Sequence, residues 1–160
     1  MDSLVDPNSD YLWDSVSIVS NSNGVTEKAP KTDEDWANER HHAIALMEAT
    51  NLLQMPGRHV ARPGEKAEDP NIEEQPEQIE ALIAADRSTW IKYARGLYDA
   101  TAVMMKSIDA KDATGVMNAG EGLDKACEVC HEHYWYPHQY DNIQKSDGTF
   151  PPVAPVTKTP

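Results

Sequence analysis

The chain has 160 residues, 27 acidic against 14 basic, and a formal charge of −13. That length fits one domain with a core of its own. The negative charge excludes a nucleic-acid partner, whose phosphates would repel the chain, and suits a surface that meets basic proteins. No apolar run is long enough to span a membrane, so a transmembrane segment is excluded as well.

Asp6-Pro7 reads as an N-cap followed by Pro at the first helical position. A first helix is expected from there to about Ser20, with Leu12, Val16 and Val19 inward. Residues 21–31 hold Asn, Gly and Pro and read as a loop. Thr32-Asp33-Glu34-Asp35 opens a second helix with a capping-box pattern. Trp36, Ala43, Leu46, Met47 and Leu53 follow at helical spacing, and Pro56-Gly57 ends it. Residues 56–75 form a polar loop, long for a compact domain and so a functional or disordered segment.

A third helix is expected from Glu77 through Ile79, Ile83, Trp90, Tyr93, Leu97, Met104 and Ile108, roughly thirty residues or about 45 Å. Only Asp86 interrupts its stripe. Asp109 is the expected cap of a fourth helix, from Ala110 to about Trp135. Gly115, Gly120 and Gly122 weaken its first half. They either let a flat ligand approach the backbone or simply kink the helix. Residues 1–140 make up the expected domain, and the Pro-rich residues 141–160 an extended or disordered tail. No strand pattern stands out. Four helices with mostly short links suggest an all-α, up-down-up-down four-helix bundle. Helix four then ends at the pole where helix one begins and helix two ends.

That pole carries the most specific motif, Cys127-Glu128-Val129-Cys130-His131. C-x-x-C-H is the pattern of haem c attachment. The two thiols add to the haem vinyl groups, and the adjacent histidine offers imidazole to the iron. On a helix the three side chains share a face. The chain has only these two cysteines, so a four-cysteine zinc site is impossible. A thioredoxin-like site lacks its βαβ surroundings. A zinc site from Cys127, Cys130, His131 and His133 or His138 and a pair of merely structural cysteines rank below haem.

With Lys125, Cys127, Cys130, His131 and Tyr134 in place, the chain resembles the class II c-type cytochromes, the cytochrome c prime group and its low-spin relatives. Trp135 stands where that family often has Arg. The chain is similar, more closely, to a subgroup of exported proteobacterial cytochromes. That likeness rests on Asp6-Pro7, Asp10, Trp13, Asn51-Leu52-Leu53, Pro56-Gly57-Arg58 and Tyr134-Trp135-Tyr136-Pro137. The resemblance implies a four-helix bundle with one covalent haem c and a non-enzymatic role in electron transport. It also implies a periplasmic or otherwise exported location. No signal segment precedes Asp2-Ser3-Leu4, so the numbering is expected to start after a removed export segment. Partners expected on this reading are redox proteins with basic surfaces; a homodimer is compatible with it.

The resemblance divides such proteins by the distal side of the iron. A methionine from helix one gives six-coordinate iron for electron transfer, and an apolar residue leaves it open to nitric oxide or carbon monoxide. Candidates are Met1, Met55, His59, Met47 and His42, with Met1 ahead of Met55. Methionines at helical spacing, as at Met47, Met104, Met105 and Met117, are more often core filler. If neither Met1 nor Met55 binds, Leu4, Val5 or Leu12 covers an open face. Arg58 either pairs with a haem propionate or is a solvated loop arginine. Tyr134, Trp135 and Tyr136 wall the haem or pack a helix end. A different class, a di-iron carboxylate bundle, is suggested by Glu39-x-x-His42 and Glu128-x-x-His131. It would need further carboxylates from Asp86 and from Asp10 or Asp14, and it leaves both cysteines unexplained.

Overall fold

In the computed structural model, residues 1–22 and 24–137 are described, and they fold into five helices and one two-stranded hairpin. The expected tail over residues 141–160 lies outside them.

Helix α1 spans Val5–Ser15 and buries Val5, Asn8, Ser9, Leu12 and Ser15, steps of three and four on one face. Its start is held by the Met1 carbonyl, which accepts from the amides of Leu4 and Val5 at 3.1 and 2.9 Å. The N-cap is Leu4, so Asp6 lies inside the first turn, where a carboxylate favours the helix dipole. The helix stops five residues short of the expected Ser20. Val16 is extended, and Ser17–Asn21 forms strand β1, paired antiparallel with β2, Gly24–Lys28, in register Ser17↔Lys28 to Asn21↔Gly24. The β-branched run Val16, Ile18 and Val19 favours a strand. Gly24, the first residue of β2 and the partner of Asn21, has φ 121°, an angle that glycine adopts without strain. The expected loop at 21–31 is therefore mostly hairpin. Val19, expected inward, is exposed on it.

Helix α2, Asp33–Leu53, begins as the sequence pattern indicates. Thr32 Oγ1 accepts from the Asp35 amide at 3.1 Å, and Asp35 Oδ2 accepts from the Thr32 amide at 2.8 Å. Trp36, Ala43, Leu46 and Ala49 enter the core, with Glu39 and Thr50 buried among them.

The expected third helix is two. Helix α3 covers Pro76–Ala85 and α4 covers Arg87–Asp109, with Asp86 between them at φ −139° and ψ 74°. Asp86 was the single polar break in the stripe, and its carboxylate is an N-cap. It accepts from the Thr89 amide at 3.1 Å and from the Ser88 and Thr89 hydroxyls at 2.6 and 2.7 Å. These donors pull its pKa down to about 2.

Helix α5, Ala113–Tyr134, is capped by Asp112 rather than Asp109. Asp109 remains in α4 and pairs with Arg40 at 3.0 Å, while Lys111 turns the chain at φ 53°. Gly115 answers to that tight turn. A Cβ there would lie 2.6 Å from both Asp112 Oδ2 and Ser107 Oγ. The glycine therefore serves the α4–α5 junction, far from the cysteines in sequence, and not the approach of a flat ligand.

Helix α4 packs on α5 and on α2, and α2 packs on α1. Leu12, Leu46, Leu97, Met104, Ile108, Val116 and Leu123 form one buried cluster from these four helices. No helix among the described residues is long and apolar enough to cross a membrane.

Candidate haem-attachment site

Cys127, Cys130 and His131 occupy one stripe near the end of α5, as steps of three and four require. They face a small cavity of about 20 Å³, closed by Met1, Leu53, Trp90, Tyr93 and Leu97. The start of α1, the end of α2, the start of α4 and the end of α5 thus meet around the two thiols. Trp90 fixes part of this junction by donating its indole N–H to the Leu53 carbonyl at 2.7 Å, and Arg87 donates to the Gln54 carbonyl at 2.6 Å.

A larger cavity of about 400 Å³ lies between α1, α4 and α5, lined by Leu12, Trp13, Met104, Gly120, Glu121 and Asp124 among others. It has no thiol or imidazole. Size and chemistry point to different places, and chemistry decides, because only the smaller cavity combines an imidazole with two thiols that could become thioethers.

The electrostatics of the smaller site are those of an apolar pocket. His131 Nε2 is buried and has no hydrogen-bond partner. An imidazole nitrogen rarely stays buried without a partner, since the lost hydration is not replaced. His131 Nδ1 lies 3.8 Å from Glu128 Oε1, too far for a hydrogen bond. Glu128 is itself bound by the Tyr136 hydroxyl, which donates at 2.9 Å. Burial pushes the Cys127 thiol up to about 12, with help from the carboxylates of Asp124, Asp6 and Glu128. Burial also pushes Cys130 up to about 12. A dithiol redox centre needs the opposite shift, toward a thiolate.

The structure separates the sequence candidates. Cys127, Cys130, His131 and Met1 line the same cavity. Met55 and Arg58 stand exposed in the segment after α2 and are not part of its wall. His59 is exposed and pairs with Glu80 at 3.1 Å. His42 is engaged elsewhere, 2.8 Å from Asn8 Oδ1 and stacked on Tyr11 with ring centroids 3.7 Å apart. The three aromatics at the helix end divide. Tyr134 is buried against Trp90, at 5.1 Å between centroids, whereas Trp135 and Tyr136 pack on His131 at 5.1 and 5.7 Å.

Leu53, Trp90, Tyr93 and Leu97 complete the wall, and none was singled out for it from the sequence. Their signal was the same helical stripe that marks core residues, and nothing in one stripe tells a core from a pocket wall.

Neither competing metal site assembles among the described residues. Among the described residues no group of three or more His, Cys, Asp and Glu side chains is placed to hold a metal ion. His133 turns toward Tyr93 and Tyr134, at 5.6 and 4.6 Å between centroids, and His138 lies outside the described residues. Asp86 is spent as a cap, and Asp10 and Asp14 are exposed. No family model, curated protein or solved structure matches the chain.

Proposed function

We propose that the chain is a monohaem c-type cytochrome of the class II kind, an up-down-up-down four-helix bundle that carries electrons between exported redox proteins. The observation that carries this reading is the orphaned Nε2 of His131, buried beside two neutral thiols and a methionine in one apolar pocket. The donor set fits the group. Haem c, when bound, supplies a one-electron iron couple.

Cys127 and Cys130 tether it as thioethers, which removes two buried thiols whose ionisation is already suppressed. His131 would bind the iron through Nε2. Met1 would bind it as well, because it alone of the candidate distal side chains lines the pocket. Its thioether sulfur is a soft donor that raises the potential. Leu53, Trp90, Tyr93 and Leu97 keep water from the iron. A space of about 20 Å³ holds no macrocycle as it stands. Haem would have to widen it, and Met1, ahead of the first helix, is the one exposed side chain in its wall.

The test is an intact mass and an absorption spectrum of protein made in a host that matures c-type cytochromes. The mass should exceed the polypeptide by one haem, with no free thiol left to titrate. The reduced spectrum should stay unchanged under carbon monoxide. A bare-chain mass overturns the proposal. A shift on adding carbon monoxide reassigns the protein as a five-coordinate binder of carbon monoxide or nitric oxide.

A further inference from the structure

Two aromatic side chains pack on His131, Trp135 at 5.1 Å and the half-buried Tyr136 at 5.7 Å between centroids. The Trp135 ring stands edge-on to the imidazole, 5.1 Å between centroids and 89° between planes. Trp135 is also 41% exposed, whereas its neighbour Tyr134 is 2% exposed. The end of α5 can therefore bury an aromatic, yet the indole beside the metal-binding imidazole is left in solvent.

The backbone beneath it is tied at both its amide and its carbonyl. The Trp135 amide donates to the His131 carbonyl at 2.8 Å, and the Trp135 carbonyl accepts from the Glu74 amide at 2.7 Å. Glu128 lies beside His131, and Glu132 is exposed in the same last turn of α5. Met1 and Leu4 add exposed apolar surface at this pole. An exposed aromatic near carboxylates, on a chain of formal charge −13, suits the docking of a basic protein.

We propose that Trp135 is the port through which an electron passes between His131 and a docked one-electron carrier with a basic surface. This rests on the haem reading above. One electron leaves the reduced haem and arrives on the oxidised metal of the partner. No bond forms or breaks, and no proton moves. Trp135 acts as a positioning residue: it closes the gap between imidazole and partner and anchors the contact. The negative charge steers the approach, so the encounter weakens as salt screens charges beyond about 8 Å at physiological ionic strength.

The test uses the haem-loaded protein, with its mass confirmed, and a lysine-rich oxidised metalloprotein as probe. Wild type, Trp135→Phe and Trp135→Leu are compared by stopped flow. The same mixtures are footprinted with hydroxyl radicals, and midpoint potentials are measured. Trp135→Leu should transfer electrons roughly tenfold more slowly, as for loss of a central aromatic anchor, with an unchanged potential and spectrum. Trp135→Phe should keep most of the rate. Trp135 should be protected from oxidation when the probe is present at low salt. An unchanged rate in Trp135→Leu, or an indole left unprotected in the mixture, overturns the port while leaving the haem reading intact. A preparation whose mass carries no haem overturns both.

Discussion

Glu39-x-x-His42 on α2 and Glu128-x-x-His131 on α5 have the same spacing and opposite surroundings. At the first, the histidine serves the fold. Asn8 donates its side-chain N–H to the Leu4 carbonyl at 2.6 Å, so its Oδ1 faces His42 and His42 Nδ1–H is the donor across 2.8 Å. Tyr11 stacks on the ring. Burial, with His41 nearby, lowers the pKa of His42 and keeps it neutral. At the second, His131 Nε2 has no partner, and the pocket that it faces holds two thiols and a methionine. The difference shows that a spacing places two side chains on one face and says nothing of use. The neighbours brought by other helices decide that.

The sharpest way to break the comparison is to remove each histidine in turn. His131→Ala should keep the covalent haem and change its spin state, because the proximal ligand is gone and the thioethers are not. His42→Ala should leave the spectrum as it is. If the spectra respond the other way round, iron is held from α2 and the assignment of the two motifs is reversed.

Met1→Leu, made behind an added export leader so that translation starts upstream of it, comes next. The variant should become high-spin and bind carbon monoxide readily, while Met55→Leu should behave as wild type, since Met55 does not line the pocket. Carbon monoxide binding that is the same in wild type and Met1→Leu would show that methionine is not the distal ligand.

Much of this geometry was legible in the sequence, and the exceptions have physical reasons. The C-x-x-C-H stripe, the Thr32 capping box and the gathering of helix ends around the cysteines follow from spacing and topology. The break at Asp86 did not, because an acidic residue within a stripe looks like a tolerated intrusion until its donors, Ser88 and Thr89, are placed around it. The β-hairpin was hidden for a related reason. Val16 and Val19 fit a helical stripe continuing from Leu12, and pairing with Gly24–Lys28 decided for the strand. Trp90 and Tyr93 were read as core because core and pocket wall share one periodicity.

The stability role of His42 gives a smaller effect. His42→Ala should lower stability by about 1–3 kcal/mol, the cost of leaving the Asn8 carbonyl oxygen without its donor. Denaturant titration measures it, and a loss well under that range would mean that the contact adds nothing to folding.

The smallest expected effect comes from the partner motif's own acid. Glu39 is 2% exposed, and its Oε2 has no hydrogen-bond partner. Burial raises its pKa above 4.5, and Ser15 and Lys28 only partly oppose this. An acid whose folded pKa lies above its unfolded value binds its proton more tightly in the native state. The carboxylate therefore costs stability above the raised folded value. That cost fades as pH falls through that value toward 4.5, where the native side chain becomes neutral. Glu39→Gln keeps the shape and removes the charge. It should raise the melting temperature at pH 7, and the gain over wild type should shrink as the pH is lowered toward 4.5. An advantage that stays constant across that range would place its origin in packing and not in the buried charge. A loss at pH 7 would mean that the ionised carboxylate holds a partner, with Lys28 the cation whose charge favours it.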